Sequence, residues 1–225
     1  MNIAIVNRLI WKDWCLNKAG ILASLIGGVV TLALVAAMHV SQIAVILGVI
    51  VEVTILIGMG AMVMISAASE RRQLTLPFVM SLPITYREYT ISKIVGGMLI
   101  FLVLWVPLVA AAVTTILLTS GFPHGMIPFV LIMAVETLMS TCLITAVAVT
   151  TESQGWTVAA AQVGAISLNG IGWSIVQLPE IGGLMRSATV RWNGTATALL
   201  MAELAVIVLM LAVTFLVQSR KRAFI

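Results

Sequence analysis

"IVGGMLIFLVLWVPLVAAAVTTILLTS", residues 94–120, contains no Asp, Glu, Lys, Arg or His. A helix rises about 1.5 Å per residue, so this tract is long enough to cross the roughly 30 Å apolar core of a bilayer. It lacks the alternation of apolar and polar residues that a membrane β-barrel strand requires. Pro107 has no N–H to donate and is expected to kink the helix, a defect that membrane helices tolerate. The tract reads as a transmembrane helix.

Five further tracts of the same kind lie at about 20–38, 42–68, 127–150, 156–178 and 198–217. The second is longer than a perpendicular helix needs, so it tilts or projects beyond the bilayer. Only 9% of the 225 residues are charged and 61% are hydrophobic, with a mean hydropathy of +1.17. Soluble chains are about 25% charged, so a water-soluble domain is excluded. The fold class is therefore all-α, a polytopic membrane protein with six transmembrane helices.

The connecting segments are 39–41, 69–93, 121–126, 151–155 and 179–197. Six crossings put both termini on one side. Ten of the 12 Lys and Arg residues fall in 1–19, 69–93 and 218–225, whereas Arg186 and Arg191 fall in 179–197. The positive-inside rule then predicts cytoplasmic termini in a cell inner (plasma) membrane protein. The first 19 residues carry Arg8, Lys12, Asp13 and Lys18 and lack the apolar core of a cleavable signal peptide.

At 100° per residue, Ile3, Val6, Ile10 and Trp14 share one side of an N-terminal helix, with Arg8 and Lys12 nearly opposite. With Trp11 beside them, these residues predict an amphipathic interfacial helix over 1–19, lying along the inner membrane surface. The other reading is a plain extension of the first span. Residues 20–225 form the six-helix domain. Small residues at Gly27 and Gly28, Gly58 and Gly60, Ala160 and Gly164, and Ala161 and Ala165 favour close helix packing. Cys15 and Cys142 match no metal or redox spacing. "NGT" at Asn193 fits a glycosylation sequon.

"ERRQLTLPFVMSLPITYREYTISK", Glu70 to Lys93, holds six of the 20 formal charges. Pro77 and Pro83 break helix continuity. Thr85 and Glu88 have capping-box spacing for a helix entering the third span. Phe78, Val79, Met80, Leu82, Ile84, Tyr86 and Tyr89 are too apolar for a solvated loop and suit a surface that meets another protein. A charged anchor with no partner is the alternative.

This stretch resembles the cytoplasmic loop of ABC-2 type transporter permeases. The resemblance rests on Glu70, Thr75-Leu76, Ser81-Leu82-Pro83-Ile84-Thr85, Arg87-Glu88-Tyr89 and Lys93, and extends through the six-span layout. Leu74 departs from the glycine usual in the family. The resemblance implies the membrane subunit of an ATP-driven exporter, paired with a second copy of itself or a paralogous permease. Two cytoplasmic ATPase subunits would dock on the 69–93 loop, through Glu70, Arg71, Arg72, Thr75, Pro83, Thr85, Arg87, Glu88 and Lys93, and on the interfacial helix. It also implies short re-entrant helices in 179–197. No G-x-x-x-x-G-K-[ST] phosphate loop occurs, so ATP and Mg belong to the partner and this chain carries no enzyme site, cofactor or metal of its own. Membrane lipid is a further expected partner; nucleic acid is not.

Glu52, Glu136 and Glu203 lie inside the second, fourth and sixth spans, without a Lys or Arg in any span to pair with them. Ionisable groups at that depth are costly and face the bundle interior or a cavity. Three roles stay open: packing groups, a translocation path for cationic or amphipathic substrates (a peptide, lipid or drug), or a proton relay. Asn169, Gln162 and Gln177 are lesser polar candidates for the same path. A proton-coupled secondary transporter using these glutamates is the alternative to the exporter.

Overall fold

The computed structural model describes residues 3–38, 42–72, 86–119 and 121–220. Their regular structure is entirely helical: α1 (Ile3–Ala37), α2 (Gln42–Arg72), α3 (Tyr86–Leu118), a 3-10 turn (His124–Met126), α4 (Ile127–Thr151), α5 (Gln154–Gln177), α6 (Pro179–Gly182) and α7 (Gly194–Arg220). Six helices are long and apolar enough to cross a membrane.

The helix α4 is the hub, packing against α5, α7, α2 and α3, while α1 lies chiefly along α3. The main core joins Leu56, Ile57 and Met64 of α2, Phe101, Leu104 and Leu108 of α3, Ile144 of α4 and Leu168 of α5. Outward faces remain apolar, with Leu22 and Ile26 of α1, Ile166 and Trp173 of α5, and Val208 and Leu209 of α7 all exposed. Such faces suit hydrocarbon and would be unsupportable in water.

The expected N-terminal helix and first span are one unbroken helix, because no Pro interrupts 3–37 and Gly20 alone is a weak breaker. At 1.5 Å per residue its 35 residues reach about 52 Å, well past a bilayer core. The buried side of its first half is Val6, Leu9, Asp13 and Asn17, while Ile3 is exposed. The apolar side expected from Ile3, Val6, Ile10 and Trp14 is thus rotated. The neighbouring α3 selects a face whose acid matches its own Lys93.

The turn between α4 and α5 shrinks to Glu152 and Ser153, with Glu152 left-handed at φ 52° and its N–H bonded to Ala148 O. Between α5 and the start of α7 at Gly194, the only helix is the single turn α6, followed by turns. Ile181 seals it against Ile132, Ile175 and Ala196. Gly125 holds this segment to the 121–126 turn by donating its N–H to Ser187 O at 3.0 Å.

Candidate functional site

Two polar features stand out in an otherwise oily bundle. The first lies where α1 meets the start of α3. Lys93 Nζ donates to Asp13 Oδ1 and Oδ2, both at 3.0 Å, and the lysine side chain is only 4% exposed. Asn17 Nδ2 donates to Asp13 O at 2.8 Å, and the Lys93 ammonium lies 5.7 Å from the Tyr89 ring centroid. Buried charges persist only when paired and hydrogen-bonded, and this cation meets that condition with both carboxylate oxygens.

Lys93 and Glu88, expected on an outer contact surface, are both buried in the chain. Glu70, Arg71 and Arg72 fall in the last turn of α2 and Arg87 in the first turn of α3. Thr75, Pro83 and Thr85 lie outside the described residues. Of the expected interfacial set, Arg8 and Trp11 are exposed, Lys12 is half-buried and lies 3.9 Å from Asp13, and Trp14 packs against the core. Asp13 was not foreseen. The available signal was its oddity, a lone acid amid Arg8, Lys12 and Lys18, but its partner is 80 residues away.

The second feature is a half-open cavity of about 130 Å³ lined by α1, α2, α3, the 3-10 turn and α4. Its lining is almost wholly apolar, including Leu32, Val35, Leu108, Phe122 and Phe129, and Glu52 is its one acidic residue. Glu52 Oε1 is buried with no hydrogen-bond partner among the described residues. Gly28 makes room for it: a Cβ there would sit 2.6 Å from Leu108 Cδ2 and 3.1 Å from Glu52 Oε2. The nearby hydroxyls are already committed to their own helices. Thr115 Oγ1 donates to Ala111 O at 2.8 Å, and Thr137 Oγ1 donates to Ala134 O at 2.7 Å while accepting from Trp105 Nε1 at 3.1 Å.

The other two acids do not line this cavity. Met133 and Thr137 present one side of α4 to it, which turns Glu136 towards α5 and α7. There Glu136 is fully buried and comes within electrostatic reach of Glu203. Ser167 is close by, but its hydroxyl donates to Gly164 O at 2.9 Å. Both Glu136 oxygens and Glu203 Oε2 lack hydrogen-bond partners among the described residues. Asn169 is exposed on α5 and donates to Ala165 O at 2.7 Å, so it joins neither group; Gln162 and Gln177 are exposed as well. The six polar residues proposed for one path are therefore split among the cavity (Glu52), the α4–α7 contact (Glu136 and Glu203) and the exposed side of α5 (Asn169, Gln162 and Gln177).

No family model matches the chain, and no curated protein or solved structure matches it.

Proposed function

We propose that the chain is the membrane subunit of an ATP-driven exporter of the ABC-2 type, working as a pair with a second copy or a paralogous permease. Cytoplasmic ATPases carrying ATP and Mg would drive it through the 69–93 elbow. Both termini face the cytoplasm of the plasma membrane in this reading, as the distribution of Lys and Arg supports. The first half of α1 then meets the inner membrane surface, and 179–197 forms the outer, re-entrant segment.

The observation that carries the reading is the buried pair between Asp13 and Lys93, the last residue of the elbow. A motor docked there must move spans, not a loose loop. The ion pair ties the first half of α1 to the start of α3, so a push on the elbow displaces two long helices together. Both helices exceed the bilayer: α3, with 33 residues, is about 50 Å long. Their surplus turns form a stalk at the end that carries most of the positive charge.

The test is coexpression with a candidate ATPase and copurification. Reversing the charge of Arg71, Arg72 and Arg87 is expected to abolish association or ATPase stimulation. Association and stimulation that survive all three reversals would remove the elbow as the docking surface.

One observation favours a second reading, the proton-coupled transporter. Both Glu136 oxygens and Glu203 Oε2 are buried without a hydrogen-bond partner among the described residues, and the two acids lie within electrostatic reach, which sets two proton-binding groups close together in the bundle. Substrate movement in ATPase-free vesicles under an imposed pH gradient, lost in Glu136→Gln, would support that reading over the exporter.

A further inference from the structure

We propose that the cavity walled by Glu52 is a binding site for a small lipophilic ammonium ion, about the size of one aromatic ring. Three properties of the cavity specify that chemistry. Its volume, about 130 Å³, is close to that of the roughly 150 Å³ apolar cavities that hold benzene. Its walls are hydrocarbon, with Phe122 and Phe129 supplying aromatic faces to which a cation is attracted. Glu52 lines it with a carboxyl whose Oε1 has no hydrogen-bond partner among the described residues, while Thr115 and Thr137, which also line it, have spent their hydroxyl protons on backbone carbonyls.

A neutral apolar guest would fill the space and leave the carboxyl unsatisfied. An inorganic cation would satisfy the carboxyl but find on the walls just the hydroxyl oxygens of Thr115 and Thr137 besides, where hard cations need six or more oxygens. An ammonium on a short aryl or branched alkyl group does both: its N–H groups reach Glu52 and its hydrocarbon covers Leu32, Val35 and Leu108. Glu52 also discriminates, since a site built around a buried polar group rejects analogues that cannot pair with it.

The place of the cavity fits such a guest. It lies between the later half of α1, the earlier half of α2, the later half of α3 and the 3-10 turn that precedes α4. Those parts are at the end of the bundle opposite the Asp13–Lys93 pair, the outer end in the orientation proposed above. The inference gives Glu52 of the exporter reading a chemical class and rests on that reading only for its consequence in transport.

Binding is measured on the full chain purified alone in detergent, so its failure leaves the ATPase association unaffected, and the reverse. Benzylammonium is the probe and toluene its neutral shape-mate, with calorimetry and thermal unfolding as readouts. Benzylammonium is expected to bind the unaltered chain at least tenfold more tightly than toluene. Glu52→Gln, nearly isosteric, is expected to lose that tenfold preference while its toluene affinity stays within twofold. Ala112→Leu, which fills the cavity from α3, is expected to weaken both ligands at least tenfold and serves should Glu52→Gln fail to fold. The proposal is overturned if benzylammonium does not bind at millimolar concentration, if toluene matches it, or if either variant binds it as the unaltered chain does.

Discussion

At the scale of single residues, the polar groups divide by whether they found partners. Lys93 and Asp13 are paired, and removing one side leaves the other buried charge without this partner, a loss of up to about 3–5 kcal/mol. Lys93→Ala and Asp13→Ala are both expected to lower the unfolding midpoint strongly, whereas the swapped pair Asp13→Lys with Lys93→Asp should recover much of the loss. Recovery in the swap separates a pairing effect from damage to either helix alone. Sequence reading singled out Lys93 but not its pairing with Asp13, since hydropathy marks where a charge stands along the chain and not what it faces. The three intramembrane glutamates were legible for the opposite reason: a carboxyl in an apolar tract is conspicuous whatever surrounds it. Their separation into a cavity residue and an adjacent pair was not legible, because it depends on which side of α4 meets α2 and which meets α7.

At the scale of elements, helix ends and crossings carry the specificity. Asn193 begins α7: its Oδ1 accepts from Ala196 N at 2.8 Å, and its Nδ2 donates to Glu180 O at 2.6 Å. Thr195 Oγ1 adds a bond to the Glu180 side chain. The residue that read as part of a sequon is thus the N-cap that ties α7 to α6. Asn193→Ala should cost about 1 kcal/mol, visible as a small drop in thermal midpoint, and Asn193→Ser or Asn193→Asp should cost less. At the other face of the bundle, Glu152 is the non-glycine residue at positive φ. L-residues pay for that conformation, so Glu152→Gly is expected to raise stability by about 1 kcal/mol, read by chemical denaturation. Gly125 and Gly182 are the least replaceable glycines of the connecting turns, since a Cβ on the first would meet Leu184 O at 2.1 Å and one on the second Val176 O at 2.0 Å, and backbone cannot step aside as a side chain can. The small residues of α5 were readable as a packing face: Ala160, Ala161 and Gly164 are buried, with Ser140 against Gly164, and Ala165 packs partly buried against the core. The continuity of α1 was harder to read: the change from mixed to purely apolar composition near Gly20 looks like a boundary, yet helical hydrogen bonding passes through it unbroken.

At the scale of the whole molecule, six long apolar helices were legible because lipid imposes one requirement on every span, that its backbone bond to itself. That requirement leaves composition and length nearly sufficient for counting crossings. Sidedness has a separate physical origin, the uneven distribution of Lys and Arg, and can be tested without reference to any ATPase. In a Cys15→Ser background with Cys142 retained as the buried thiol, Ser153→Cys marks the α4–α5 turn and Arg191→Cys the segment before α7. One span, α5, separates the two positions. If four helices cross before Ser153, that turn shares the side of the N-terminus, where most of the positive charge collects. A membrane-impermeant maleimide is therefore expected to label Arg191→Cys in intact cells and Ser153→Cys only in inside-out vesicles. Labelling of both from one face would mean that α5 does not cross, whereas the reversed pattern would mean that the charge asymmetry does not set orientation here. The reversed pattern would move the elbow away from a cytoplasmic motor and leave the bundle needing another source of energy.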